Sequence, residues 1–287
     1  MTPASQSALS IARGAVREGL AALDGFGELL GSRRVGPKAL ERARADLGEA
    51  CASLGTAICS LASVIDEAFG EDEAARASTS ALCAHAIERA RVLVAAVDVK
   101  GPLGDARRRL ALEAAVKRHG AELKDAVALC DLLAAAAAPA PTELDLLDVL
   151  EQRFGAAGRV EASVRVGIDA IRPAPLVADR HLFGALVEVA AAHAAKRGMA
   201  SPRLGVVKWK DGSLLVRIGP SPRGSAAPRA TMEIPVRGDV PGTLEAAKVA
   251  ARRAGMKLEV DPATGAVTIS VEPGPAHAKA ERDAGPR

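Results

Sequence analysis

Val127-Ala-Leu-Cys-Asp-Leu-Leu133, the alanine run 134–138, Pro139-Ala-Pro141 and then Leu144-Asp-Leu-Leu-Asp-Val-Leu150 mark the place where the chain changes its period. Upstream, apolar residues recur at helical spacing; downstream, strand-length alternations are mixed with shorter helical stretches. Two prolines flanking one alanine cannot continue a helix, so the stretch reads as a domain boundary.

Working back from that boundary, residues 4 to about 138 read as helix, broken at Gly31–Pro37, near Gly70 and at 100–104. The second segment carries a heptad seam of Leu40, Leu47, Leu54 and Leu61, with Cys51, Ile58 and Ile65 at the companion position. The third places Cys83, Ile87, Ala90, Val94 and Val97 on one stripe, and the fourth Leu112, Val116, Leu123, Cys130 and Leu133. Four helices with narrow seams and short turns predict an antiparallel bundle.

Working forward, Leu144–Phe154 reads as a short amphipathic helix with Thr142 as its cap. Val160–Ile168 reads as a strand, and Leu182–Lys196 as an alanine-rich helix stopped at Gly198. Leu204–Ile218 is a hairpin turning at Asp211-Gly212, followed by a loop over 221–230 and a strand at Thr231–Val236. Thr243–Ala254 is a helix, Leu258–Val271 a second hairpin, and the charged tail 273–287 disordered. The fold class is therefore α+β: a helical bundle over 1–139 and an α/β sandwich over 140–272, with one mixed sheet and helices on one face.

Composition narrows the function classes. Only 2% of the 287 residues are aromatic, with no tyrosine and the single Trp209, which argues against stacking on single-stranded nucleic acid. A net charge of +3 with interleaved signs offers no phosphate-binding stripe, so nucleic acid is not expected as a partner. Cys51, Cys59, Cys83 and Cys130 lie in helical segments without a C-x-x-C pair, which reads as reduced, buried thiols. No basic-then-apolar start reads as a secretory signal, and Asp66 and Glu67 interrupt the best apolar run, so a cytoplasmic protein without a membrane span is expected.

The junction quoted above resembles the step from the second helix of a histidine-kinase dimerisation hairpin into its Bergerat-type ATPase domain. Asp179-Arg-His-Leu-Phe-Gly-Ala-Leu-Val-Glu-Val-Ala190 resembles the opening of that family's N-box helix. Lys210–Ile218 resembles the hairpin before its first glycine box, and Thr243–Gly255 with the closing hairpin its final helix and strands. The similarity spans roughly residues 72–272, with the helical hairpin over about 72–138. It implies two-component signalling, a receiver domain or sensor kinase as partner, and homodimerisation through the helices.

The family's chemistry departs here. Glu188-Val-Ala-Ala-Ala-His-Ala194 stands where asparagines would hold magnesium, and the chain contains no asparagine. Ile218-Gly-Pro-Ser221 stands where an aspartate would read adenine, and the 221–230 loop has no G-x-G. No cofactor and no metal are therefore expected, and neither ATPase nor autokinase activity, with Glu188 and His193 read as surface and boundary residues.

Phosphotransfer needs an exposed imidazole as nucleophile. His85, reckoned about 200° around the helix from Cys83 and Ile87, is expected on a solvated face as the candidate phospho-acceptor. The following Ala-Ile-Glu-Arg lacks the acidic residue and proline that the family places after its histidine. His119 is the weaker candidate, at a seam position beside Lys117 and Arg118, with Gly120 suggesting a local irregularity; His181 and His277 are not placed for transfer. Arg107, Arg108 and Arg109 are candidates for docking an acidic receiver surface. Three readings stay open: an ATP-binding-deficient adaptor, a histidine phosphotransferase relaying phosphate between response regulators, and a helical scaffold whose first two helices complete a bundle within one chain.

Overall fold

A computed structural model of the chain describes residues 3–32, 35–70, 72–97, 105–137, 139–155, 163–170, 174–199, 201–208, 213–221, 226–236, 240 and 242–271. It divides into two units, one of Met1–Ala137 with Gly238–Thr243 and one of Ala138–Arg237 with Leu244–Arg287. The tail expected to be disordered and the Asp211-Gly212 turn lie outside the described residues.

The first unit is built from α1 (Pro3–Gly31), α2 (Pro37–Phe69), α3 (Glu73–Val97) and α4 (Ala106–Ala136). Starts follow local chemistry: Pro37 opens α2 after an extended Gly36, and the Asp105 carboxylate accepts the Arg107 amide at the start of α4. Each helix packs on the next, and α1 also packs on α4, so the bundle closes within one chain. The α2 seam is buried as its heptads require, from Leu40 through Ile65.

In α3 the expected stripe is only half right. Cys83, Ala90 and Val97 are buried with Leu82, Ala86 and Leu93, whereas Ile87 and Val94 are half-buried on the flank toward α2. By length and composition a window within Lys38–Glu67 is also apolar enough to cross a membrane, contrary to the expectation from Asp66 and Glu67. Its leucine seam is nevertheless buried inside the bundle.

Glycines set how closely α1 approaches its neighbours. A Cβ on Gly120 would lie 3.0 Å from Leu23 Cδ2, and one on Gly19 would lie 3.3 Å from Leu54 Cβ. The irregularity expected at Gly120 is absent; α4 runs through it unbroken, and the missing side chain makes room for Leu23 instead.

The second unit opens with β1 (Thr142–Asp145), which pairs antiparallel with β3 (Pro175–Ala178). Between them come α5 (Leu146–Phe154) and β2 (Ser163–Ile168). Thr142 is thus a strand residue and not a cap. Asp145 does that work: Oδ1 accepts the Leu147 amide at 2.9 Å and Oδ2 the Ala174 amide at 2.8 Å.

Then follow α6 (Arg180–Lys196), β4 (Arg203–Lys208), β5 (Leu214–Gly219), β6 (Ala230–Pro235), α7 (Thr243–Arg253), β7 (Lys257–Val260) and β8 (Val267–Val271). Six strands form one mixed sheet in the order β6-β2-β4-β5-β8-β7, with β2 and β4 its parallel pair among the described strands. α6 packs on β2, β5, β6 and β8. Glycines stand at φ 76 after α6 (Gly198), φ 73 after α7 (Gly255) and φ 69 in the last hairpin (Gly265), the left-handed positions a side chain would strain. The chain is α+β as expected, a helical bundle followed by an α/β layer, with the small β1–β3 sheet as an addition.

Candidate functional site

α6 is the helix on which the resemblance to histidine kinases would place a nucleotide-linked magnesium. Asp179 caps it, accepting the Leu182 amide at 2.9 Å and the Ala140 amide at 3.0 Å. From Leu182 through Ala192 every residue is buried, Glu188 included. Burying a carboxylate is costly unless it is paired. The partner is Arg153 of α5, whose Nε donates to Glu188 Oε1 at 2.7 Å. Gly184 makes the approach possible, since a Cβ there would lie 2.4 Å from Arg153 Cδ.

Glu188 is therefore a buried, paired carboxylate and not the surface charge expected. Its pairing opposes metal binding, and among the described residues no group of three or more His, Cys, Asp or Glu could hold an ion. Elsewhere in the second unit two further glycines stand against close neighbours. A Cβ on Gly219 would lie 2.7 Å from Ala266 Cβ, and one on Gly167 would lie 2.9 Å from Pro228 Cβ. The segment before β6 is tied down over β2: Arg229 donates its amide to the Ile168 carbonyl at 3.1 Å, and Arg203 bonds both the Ala226 carbonyl and Asp169. These residues do not fit a magnesium nucleotide.

The histidines are placed differently from one another. His85 is half-buried, and its Nε2 is out of solvent and without a hydrogen-bond partner. This corrects the expected solvated face. The α3 stripe is centred on Leu82, Ala86 and Leu93. His85 is one turn before Arg89, whose Nη1 bonds Glu122 of α4 at 3.0 Å, so the imidazole lies on the flank toward α4.

His119 belongs to that same cluster, with Nδ1 3.5 Å from Arg89 Nη1 and 3.6 Å from Glu122 Oε2, and its side chain 18% exposed. A histidine between an arginine and a carboxylate is held in place, which a nucleophile awaiting a protein partner need not be. His181 is exposed at the start of α6, with Nδ1 3.4 Å from Arg153 Nη1. His193, near the end of α6, has a buried, unpartnered Nε2, and burial together with Arg197, Lys196 and Lys248 pulls its pKa down. His277 lies outside the described residues.

The arginine run divides in two. Arg109 donates from Nε to the Leu30 carbonyl at 2.8 Å and from Nη2 to the Leu29 carbonyl at 3.2 Å, and also bonds the Ser32 carbonyl. It caps the C-terminus of α1, satisfying carbonyls that the helix leaves orphaned. Arg107 and Arg108 are exposed beside Leu110, which is 66% exposed. Between α2 and α3 there is also a cavity of about 600 Å³, lined by Cys51, Gly55, Cys59, Ile87 and Val94 with Arg91.

No family model matches the chain. No curated protein matches it in sequence. Among solved structures it is similar to the Acinetobacter baumannii histidine kinase AdeS, at 12% identity and a TM-score of 0.34. That match covers 67% of this chain and 95% of the other. So loose a superposition carries no argument about fold or chemistry, and the functional reading rests on the residues themselves.

Sequence reasoning missed the Arg153–Glu188 pair and the Arg109 cap. The signal available for the first was one Glu within a helix otherwise apolar from Leu182 to Ala192, which requires a cation from elsewhere.

Proposed function

We propose that this chain is a histidine-kinase-like adaptor of two-component signalling that neither binds ATP nor transfers phosphate. It acts by docking a receiver domain or a sensor kinase. The observation that carries the reading is the ion pair between the buried Glu188 of α6 and Arg153 of α5, which occupies the helix where such an ATPase would need metal-holding amides. The half-buried His85, and His119 held between Arg89 and Glu122, support the adaptor over the phosphotransferase.

The docking surface is Arg107 and Arg108 with Leu110. Cations in the first turn oppose the positive end of the helix dipole, so their placement costs a little stability. For Arg109 that cost is offset at the C-terminus of α1. Among the described residues Arg107 and Arg108 show no ion pair, and both are exposed to solvent, where an acidic partner can meet them. The bundle closes within one chain, which supports action without a second copy.

The test is calorimetric titration with a panel of receiver domains and, separately, with magnesium-ATP. One receiver is expected to bind, at least tenfold more weakly after Arg107→Glu with Arg108→Glu, and ATP to give no heat. Saturable ATP binding would overturn the reading. Acid-labile label passing from a phosphorylated receiver to this chain would replace the adaptor with a phosphotransferase.

A further inference from the structure

We propose that Cys83 and Cys130 form a peroxide-sensitive redox site, closing to a disulfide that staples α3 to α4. The two residues are 47 positions apart in sequence, yet their sulfurs lie 3.7 Å apart, with one thiol donating to the other. Both side chains are buried, at 4% and 0% exposure, with no other protein sulfur bonded to either. A disulfide requires about 2.05 Å between sulfurs, so the gap to close is about 1.7 Å. Side-chain rotation with a small helix shift supplies movement of that size.

The pair is asymmetric in exposure, Cys83 at 4% and Cys130 at 0%, which assigns the roles. The bond from Cys130 pulls the Cys83 thiol down, while that same bond and burial push Cys130 up. Cys83 is the attacking sulfur because it is the more exposed of the two and a peroxide reaches it first, its thiolate being the nucleophile. Its thiolate attacks one oxygen of hydrogen peroxide; the O–O bond breaks, and the departing hydroxide takes a proton to become water. Cys83 is then a sulfenic acid. The Cys130 sulfur loses its proton and attacks Cys83, expelling hydroxide as a second water. Two thiols lose two electrons, and one peroxide gains them.

The other cysteines are controls within the molecule. Cys51 is buried, with its thiol pushed up to about 11 by burial, and Cys59 is exposed. Trypsin places both on Ala45–Arg76, Cys83 on Ala77–Arg89 and Cys130 on Asp125–Arg153, so a Cys83–Cys130 link differs in mass from any link that involves Cys51 or Cys59.

The experiment exposes the full-length folded protein to hydrogen peroxide, blocks free thiols with iodoacetamide in denaturant, and maps the tryptic peptides. The expected result is a linked pair Ala77–Arg89 and Asp125–Arg153, lighter by two hydrogens and reversed by dithiothreitol. The oxidised protein should melt higher by on the order of 10 °C, because the link closes a long loop. Cys83→Ser and Cys130→Ser should each abolish the link, and Cys59→Ser should leave it. Recovery of Cys83 and Cys130 as separately alkylated or separately over-oxidised peptides from wild-type protein overturns the proposal. So does a link that forms only in protein already unfolded. The wild-type map decides the matter even if a serine variant folds poorly.

Discussion

α2 and α6 are both apolar helices, yet they are buried in different ways. α2 hides one seam, Leu40 through Ile65, and leaves residues such as Ala52, Thr56 and Ser60 outside it. α6 hides every residue from Leu182 to Ala192, so it has no outer face there on which a polar group could be harmless. The lesson is that tolerance follows periodicity. In the bundle a polar residue off the seam costs nothing; in α6 the one carboxylate had to bring its own counter-ion from α5.

The largest break in that comparison is Arg153→Met. It leaves Glu188 buried without its cation and is expected to cost about 3 kcal/mol, read as a lower urea midpoint at unchanged slope. Adding Glu188→Leu should return most of the loss, because a hydrophobic pair can replace a buried ion pair. If the double variant is as unstable as the single one, the pair matters for shape and not for charge.

Next in size is a contrast of two bundle glycines. Gly120→Val pushes into Leu23 and should destabilise by about 2 kcal/mol, the ordinary cost of overpacking. Gly55→Ala meets nothing within 4 Å and should stabilise by about 0.5–1 kcal/mol through helix propensity. Equal thermal shifts in the two would mean that the close approach of α1 and α4 is not governed by Gly120.

The smallest effect concerns pH. The pKa of His193 is held below its ordinary 6.5 by burial and neighbouring cations. Above 6.5 both folded and unfolded forms are neutral there, and the residue adds no pH dependence. As pH falls through 6.5 the unfolded chain takes the proton first, so stability declines until the folded pKa is passed. His193→Gln should flatten that limb of a stability–pH curve while leaving the plateau above it in place.

The four helices and their breaks were legible because Gly and Pro punctuate the chain and the leucine heptads of α2 repeat without error. The stripe of α3 was harder. It contains alanines at most interior positions, so Ile87 and Val94 drew the seam toward themselves and turned His85 outward in the reading. β3 went unread because Pro175–Ala178 is four residues long and opens on proline. Thr142 was a reasonable cap in isolation; pairing of Thr142 with Ala178 claims it for a strand. The contacts that define the candidate site join distant positions, 35 residues apart for Arg153 and Glu188 and 79 for Arg109 and Leu30. Neither periodicity nor local propensity encodes such pairings; they exist only once the helices pack.

The six-stranded sheet ends on β6 at one side and β7 at the other, and neither end invites another strand. β6 is framed by Pro228 and Pro235, which have no amide hydrogen to offer. β7 is four residues long, with Lys257 and Glu259 exposed. Blunted edges of this kind guard against aggregation and domain swapping. They also restrict the grammar of recognition at this sheet: a partner at either of its ends meets proline or charged side chains before it meets open backbone.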